Sequence, residues 1–220
     1  MPRKPAHEQG DTLGNIEQQA FHLFGRYGYE GVSIGDIAKR AKLSKGALYW
    51  HFPGKDALFL ACLGRVHRLF NEHIFHPMQQ EPRPGLGILR LFEGIEALIG
   101  DATIQEGIAG YWLIPSSAEA APIVTAHRAF EKEAVGTVRA VLERGQHAGF
   151  FDLGADLGVM SRAIISIVEA VLLPLRYQTP EDVHKILLVL ARTLFRAYGT
   201  QDAQQFLEQY AQQRPLPLHS

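Results

Sequence analysis

Residues 32–55, VSIGDIAKRAKLSKGALYWHFPGK, contain two short helical patterns separated by a turn, and they decide the fold of the N-terminal part. Ser33 precedes the first pattern and Asp36 follows three positions later, so the two side chains can form a capping box at a helix start. Ser44 offers an N-cap for the second pattern. The spacing therefore predicts a helix-turn-helix, with helices at 34 to 40 or 41 and at 45–51.

Positive charge is concentrated between residues 39 and 55, which include no carboxylate, whereas the chain of 220 residues has a formal net charge of −1 at pH 7. The cations are Lys39, Arg40, Lys42, Lys45 and Lys55. A local positive field suits a phosphate backbone, although charge alone more often marks a solvated helix face. Charge together with the caps, the spacing and the aromatic residues favours a DNA-binding motif.

The free face of the second helix is predicted to lie against DNA bases. Lys45 can hydrogen-bond guanine, and the methyl group of Ala47 can contact the methyl group of thymine. Gly46 between them would let the helix approach the groove closely. Trp50 is a further candidate, but an indole beside Phe52 can equally cover the core of the small domain.

Other side chains are predicted to hold the phosphate backbone without distinguishing bases. Hydroxyl, imidazole and ammonium groups near helix starts suit this role, because free backbone amides there also favour anions. The residues assigned to phosphates are Ser33, Lys42, Ser44, Tyr49, His51 and Lys55. Arg3 and Lys4 lie on a leader that can reach a minor groove, although such short basic leaders more often make no contact.

Residues 24–60, FGRYGYEGVSIGDIAKRAKLSKGALYWHFPGKDALFL, resemble the DNA-binding domain of the TetR family of one-component transcriptional regulators. The most specific part of the resemblance is SKGALYWHF followed by a lysine. Beyond Phe75 only the length of the chain and its helical patterns resemble the family. The resemblance implies an all-α fold, in which a connecting helix joins a three-helix DNA-binding domain to a larger domain that binds a small effector and dimerises. One departure is Lys42, because the family usually has a glycine in this turn. Either the turn differs, or the lysine accepts a positive φ at a cost of about 1 kcal/mol.

Length and composition, 46% hydrophobic and 20% charged, allow a small DNA-binding unit and one larger helical domain. The predicted division is a leader and helix-turn-helix at 1–53, a connecting helix at 54–76, and an effector-binding and dimerisation domain at 77–220. The prolines and glycines of 76–87 predict a loop or a domain boundary. Further helices are predicted at 12–27, 86–99, 104–113, 123–146, 155–175, 181–198 and, more weakly, 202–212, before a loose tail.

The helices predicted at 155–175 and 181–198 are apolar on several faces and therefore need several buried neighbours. We predict that they pack against the same two helices of a second copy, which gives a homodimer. The alternative is that both helices are central in a monomer. A homodimer would place two recognition helices on an inverted repeat.

Candidates for an effector pocket are aromatic residues with a polar group nearby, namely Phe92, Tyr111, Trp112, His127 and Phe130. The same spacing also fits ordinary core residues. Glu169 lies in an apolar run, where it would meet a cationic ligand or remain costly to bury. However, Arg162, Glu169 and Arg176 recur every seven residues, which indicates a polar stripe that faces water or a dimer partner.

These observations predict a sequence-specific DNA-binding regulator, and the resemblance alone favours a repressor that a small effector releases. The alternatives are a DNA-bound regulator without an effector and a small helical enzyme. Against an enzyme, the sequence lacks H-E-x-x-H and phosphate-binding-loop motifs, and its one G-x-S-x-G match, at residues 31–35, falls at the start of the helix-turn-helix with no strand pattern before it. We expect no cofactor.

We also expect no metal, since the ten histidines and the one cysteine show no metal-ligand spacing. Cys62 lies among apolar residues, which favours a packing role over a redox sensor. The N-terminus lacks the apolar core of a signal peptide, and Ser166, Glu169 and Pro174 interrupt the longest apolar tract. A cytoplasmic location without a membrane partner is therefore predicted.

Overall fold

The structure is a computed structural model, and it describes residues 6–100, 104, 107–114, 120–154, 156–172 and 178–213. Within these ranges the regular secondary structure is helical, apart from one isolated antiparallel bridge between Phe151 and Gly199. The predicted all-α fold class is confirmed. None of the helices in these ranges combines the length and the apolar character that a membrane span requires.

The helices follow one another closely along the chain. The N-terminal part contains α1 (Ala6–Tyr27), α2 (Ile34–Arg40), α3 (Lys45–His51) and α4 (Lys55–Phe70). A π-helical segment (Asn71–Phe75), α5 (His76–Gln80), α6 (Pro84–Gly100) and a 3₁₀ turn (Ala109–Trp112) come next. The remaining helices are α7 (Ala121–His147), α8 (Leu157–Leu172), α9 (Pro180–Tyr198) and α10 (Gln201–Gln213).

Helices occupy most of the proline-rich stretch at 76–87, where the sequence predicts a loop. The π-helical segment and α5 follow α4 without interruption, and only residues 81–83 are non-helical before α6. Pro77 lies in the first turn of α5, where a missing backbone amide costs little. The prediction of a loop is therefore wrong for most of this stretch, because Pro77 and Pro84 lie in the first turns of α5 and α6, and only Pro82 lies among the non-helical residues.

Two other predicted bounds also differ. α1 begins at Ala6 instead of residue 12, so part of the predicted leader is helical, while Arg3 and Lys4 lie outside the described residues. Of the helix predicted at 104–113, residue 104 is helical and Ala109–Trp112 form a 3₁₀ turn. A methyl group on Gly110 would lie 2.1 Å from the carbonyl oxygen of Phe24, so this turn packs backbone to backbone on α1.

The chain divides into two compact units. Unit 1 comprises Met1–Arg68 and Ala102–Ala129, and unit 2 comprises Leu69–Asp101 and Phe130–Ser220. The helix-turn-helix lies in unit 1, and the helices predicted to dimerise lie in unit 2. The functional division at residues 53 and 76 stays a prediction.

Aromatic rings fill the core of unit 1. The ring of Phe59 lies 5.0 Å from that of Phe24 and 5.3 Å from that of Tyr111. Tyr111 is buried, and its hydroxyl donates a hydrogen bond to the carbonyl oxygen of Phe21 at 3.0 Å. Burial raises the pKa of the Cys62 thiol to about 12, so this thiol stays protonated and inert, as a packing role requires.

The core of unit 2 contains packed aromatic rings, and an ion-pair cluster lies at its edge. The rings of Phe151 and Phe195 lie 5.3 Å apart and are both buried. At the corner between α5 and α6, the buried carboxylate of Glu81 accepts hydrogen bonds from Arg83 and Arg90 at 3.0 Å. These contacts hold the corner in place on the core.

Candidate nucleic-acid interface

The two helices of the motif are capped as the sequence predicts. The Ser33 hydroxyl oxygen accepts a hydrogen bond from the Asp36 amide at 3.2 Å, and an Asp36 carboxylate oxygen accepts one from the Ser33 amide at 3.0 Å. The Ser44 hydroxyl oxygen accepts from the Ala47 amide at 3.1 Å. These caps place the start of α2 at Ile34, and the predicted bounds of both helices are confirmed.

The capping box also affects what Ser33 can offer to DNA. Its hydroxyl donates to the Asp36 carboxylate at 2.5 Å, and the hydrogen bonds from Ser33 hold the pKa of that carboxyl below its usual value. The Ser33 proton is therefore engaged within the protein. The Ser44 hydroxyl, in contrast, acts as an acceptor in its cap and keeps its proton for a partner.

α3 buries one face and exposes the other. Leu48 is fully buried and Phe52 nearly so, which anchors the helix to the core of unit 1. Tyr49 is 53% exposed and Trp50 is 69% exposed. Of the two sequence-based possibilities for Trp50, the structure therefore places the indole on the surface instead of over the core.

Lys42 occupies the turn between α2 and α3 with φ of +58°, and it is the one non-glycine residue with positive φ in the described part of the chain. The turn is thus left-handed at this position, and Lys42 accepts the strain that a glycine would avoid. The sequence leaves open whether the turn differs or the lysine accepts a positive φ, and the structure shows a lysine with positive φ.

Replacing Lys42 with glycine should therefore raise the free energy of unfolding by about 0.5–1 kcal/mol, because glycine adopts this conformation without a steric cost. The exposed cation is lost at the same time, so affinity for DNA should fall and depend less steeply on salt. Denaturant unfolding and a salt titration measure the two effects. The control is Lys39→Gln, which removes an exposed cation from a helical position and should not raise the free energy of unfolding. Equal free energies of unfolding for Lys42→Gly and the wild type would contradict the strain at Lys42.

Lys55 is half-buried and already has contacts within unit 1, and His51 is also half-buried. Its ammonium donates to the carbonyl oxygen of Tyr29 at 3.1 Å and lies 4.0 Å from the centre of the Tyr29 ring. The Tyr29 hydroxyl in turn donates to the carboxylate of Asp56. These contacts fix the Lys55 ammonium at the start of α4, and two of its three N–H donors remain for a phosphate.

A surface depression of about 600 Å³ brings several of these side chains together. Ser33, Lys45, Tyr49 and Lys55 line it, and these are four of the residues predicted to contact DNA. Its lining also includes the carboxylates of Glu30 and Asp36 and the backbone of Gly35. The other predicted contacts, from Lys42, Ser44, Gly46, Ala47, Trp50 and His51, lie along the turn and α3 outside this lining.

Gly46 is exposed in the first turn of α3. A methyl group there would meet only the Ser44 hydroxyl oxygen, at 3.9 Å. No described atom of the protein therefore requires a glycine at this position. An external surface that approaches α3 closely would require one.

The residues predicted to line an effector pocket are divided between the units. In unit 1, Tyr111 belongs to the core, while Trp112 and His127 are half-buried. In unit 2, the ring of Phe130 lies 6.0 Å from that of Phe70 and 5.8 Å from that of Phe75. Their role in binding an effector stays a prediction.

The polar stripe predicted on α8 is described only in part. Arg162 donates to the Glu131 carboxylate at 2.8 Å, Glu169 is half-buried, and Arg176 lies outside the described residues. Arg162 is thus engaged by α7 within unit 2.

An open apolar groove of about 540 Å³ lies between α8 and α9 in unit 2. Val159 is 67% exposed and Ile167 is 43% exposed, although both are apolar. Phe92 of α6 also reaches the groove. The lining from α8 and α9 includes Val159, Met160, Ala163, Ile164, Ile167, Val168, Leu187, Leu190, Leu194 and Ala197.

Comparison with solved structures identifies the same fold in known regulators. A complex of SmeT with triclosan superposes with a TM-score of 0.71 at 22% identity, over 88% of this chain and 94% of that one. NalD, the secondary repressor of the MexAB-OprM multidrug efflux pump in Pseudomonas aeruginosa, superposes with a TM-score of 0.66 at 20% identity, over 88% and 98%. At these identities the likeness shows the fold alone.

Sequence comparison identifies the family of the chain. The family described as bacterial regulatory proteins, tetR family, matches residues 16–62. The transcriptional regulator SrpR of Pseudomonas putida is 32% identical over 102 residues, which cover 46% of this chain and 44% of SrpR. The uncharacterized regulator TtgW, also of Pseudomonas putida, is 32% identical over 102 residues, which cover 46% of this chain and 70% of TtgW. The chain thus spans less than half the length of SrpR, and its match to TtgW over 70% of that relative, with the family match at residues 16–62, shows that it belongs to the TetR family of bacterial regulatory proteins.

Proposed function

We propose that this regulator is a homodimeric repressor that binds an inverted-repeat operator through α3 of each protomer and leaves it when a small molecule binds the C-terminal domain. The observation that carries the DNA-binding part is the surface of α3. It exposes a lysine, a glycine that the fold does not need, a tyrosine and a tryptophan side by side. Amino and aromatic groups on a short exposed helix match the requirements of a major groove.

Within this surface, two classes of contact are proposed. Lys45 and Ala47 contact base edges, while Tyr49 and Lys55, with Ser44, His51 and Lys42, contact phosphates. The Ser33 proton is engaged in its capping box, so its contribution is limited to the backbone geometry at the start of α2. Trp50, as an exposed indole, can pack against a sugar or a thymine methyl group.

Substitutions should separate the two classes. Tyr49→Phe and Lys55→Ala should weaken binding to all DNA sequences by similar factors, because each removes a phosphate contact. Lys45→Ala should also change the base preference at one position of each half-site, by about 5- to 100-fold. Binding to a library of operator variants measures both effects. Identical preferences for all three variants and the wild type would contradict the assigned roles.

Gly46→Ala should have opposite effects on folding and on binding. The added methyl group meets no protein atom closer than 3.9 Å, so the helix gains up to about 1 kcal/mol of stability. The same methyl group should hold α3 away from the groove and reduce operator affinity about tenfold or more. Thermal unfolding measures the gain in stability, and operator titration measures the loss of affinity. An unchanged affinity for the operator would show that DNA does not approach Gly46 closely.

Dimerisation is proposed through the groove between α8 and α9. Apolar side chains line it, and two of them are substantially exposed in one protomer. Pairing α8 and α9 with the same helices of a second protomer would cover this surface in a four-helix arrangement. Two α3 helices related by a twofold axis would then contact two half-sites.

Release by a small molecule is proposed by analogy with the structural neighbours. SmeT, a repressor of a multidrug efflux pump in Stenotrophomonas maltophilia, has been crystallised with triclosan. Phe92, Trp112, His127, Phe130 and Glu169 stay the candidate binding residues on their chemistry, whereas Tyr111, also predicted, is packed in the core of unit 1. An apolar effector suits their chemistry, and such a regulator acts on DNA in the cytoplasm. A regulator without an effector is the alternative, and apolar aromatic compounds added to an operator complex distinguish the two.

A further inference from the structure

Gly35 lies in the first turn of α2 and contacts the side chain of a residue proposed to contact bases. A methyl group on Gly35 would stand 2.8 Å from Cε of Lys45 and 3.3 Å from its Nζ. Carbon atoms that are not bonded to each other do not approach to 2.8 Å without displacement. The end of the Lys45 side chain therefore lies across Gly35, in space that any other amino acid would occupy.

A hydroxyl group and a carboxylate also belong to residues next to this contact. The Ser33 hydroxyl oxygen lies 3.5 Å from the same methyl position, and the carboxylate of Asp36 belongs to the next residue of α2. Asp36 is ionised and interacts favourably with the charge of Lys45. The Lys45 ammonium thus lies over the steric gap at Gly35, and both residues line the depression described above.

We propose that Gly35 is a specificity-determining position of the DNA-binding surface, because the space above it sets where the Lys45 ammonium lies and hence which base that ammonium contacts. This inference rests on the proposed contact between Lys45 and DNA bases. Gly35 itself contributes no hydrogen-bonding side chain. Its influence on base preference is exerted through Lys45.

The contact predicts what an alanine at this position would do. The nearest atom belongs to the far end of a flexible side chain, so Lys45 can move aside and the backbone need not shift. Alanine also favours the helical conformation relative to glycine, so α2 should not lose stability. The displaced ammonium, however, would meet a different set of acceptors in the groove. Base preference should therefore change while the fold is retained.

A competing explanation is that Gly35 only gives DNA room to approach α2. The two explanations differ in a double-mutant cycle with Lys45→Ala. If Gly35 acts through Lys45, Gly35→Ala should have no further effect on base preference once the lysine side chain is absent. If the methyl group obstructs DNA directly, the loss of binding should persist in the double variant.

The experiment compares the wild type, Gly35→Ala, Lys45→Ala and the double variant by binding to a library of operator variants, with thermal unfolding measured in parallel. Gly64→Ala in α4 is the matched control, because its methyl group would meet only an Arg68 nitrogen at an ordinary 3.7 Å. We expect Gly35→Ala to change the preference at the Lys45-dependent position by about 5- to 100-fold, without a lower melting temperature. In the Lys45→Ala background this change should be absent, and the control should match the wild type in base preference.

Two results would overturn the inference alone: a Lys45-dependent preference that Gly35→Ala leaves unchanged, or a Gly35→Ala effect of the same size with and without Lys45. A preference that does not change in Lys45→Ala would instead overturn the proposed base contact, and the inference with it. The outcomes are thus distinguishable within one set of measurements.

Discussion

Ile167→Glu is expected to convert the homodimer into a monomer and to reduce affinity for a full operator by about 10²–10⁴-fold. Ile167 is apolar, 43% exposed and part of the groove between α8 and α9. A carboxylate buried in an apolar interface without a partner is strongly unfavourable, and each protomer would contribute one. A protomer bound at one half-site would then no longer hold a second protomer at the other half-site. Sedimentation and operator titration measure the two losses.

Val189→Glu is the matched control for this substitution. Val189 is an apolar residue of α9 that is 60% exposed, and it does not line the groove. The control should remain dimeric and bind the operator with nearly the affinity of the wild type. A dimer that survives Ile167→Glu would show that the protomers associate through another surface.

Gly25→Ala is expected to lower the free energy of unfolding by at least about 3 kcal/mol, or to prevent folding altogether. A methyl group on Gly25 would stand 1.7 Å from the carbonyl oxygen of Gly107 and 2.0 Å from its carbonyl carbon. Backbone atoms of this kind cannot move aside as a side chain can. Denaturant unfolding followed by circular dichroism measures the loss.

The control is Gly14→Ala on the exposed side of the same helix. No atom lies within 4 Å of the added methyl group, so this variant should gain up to about 1 kcal/mol. If Gly25→Ala were as stable as Gly14→Ala, the close packing of α1 against residues 107–110 would be contradicted.

The helix-turn-helix could be predicted from the sequence because its determinants are local. Ser33, Asp36 and Ser44 cap helices within three residues of their own positions, so the bounds of α2 and α3 follow from short stretches of sequence. The exposed aromatic face of α3 follows from helical spacing around Leu48. The family resemblance agrees with these local signals.

The errors arose where tertiary contacts or chain context decide the structure. Pro77 predicted a loop, but a proline in the first turn of a helix is well tolerated. Gly110 is packed against the backbone of α1, a contact that connects distant parts of the sequence. The contact between Gly35 and Lys45 also escaped prediction, since a glycine at helical spacing has no distinguishing pattern. The effector residues were chosen by chemistry alone, which does not separate a pocket wall from a core residue such as Tyr111.

Selection of bound fragments from sheared genomic DNA by the purified protein, at about 150 mM salt, tests the central claim most directly, because non-specific attraction is partly screened under these conditions. We expect recovery of fragments that share one inverted repeat, with each half-site protected by one protomer. Recovery of fragments without a shared sequence, or with a single half-site, would contradict a dimeric repressor that recognises its operator through α3.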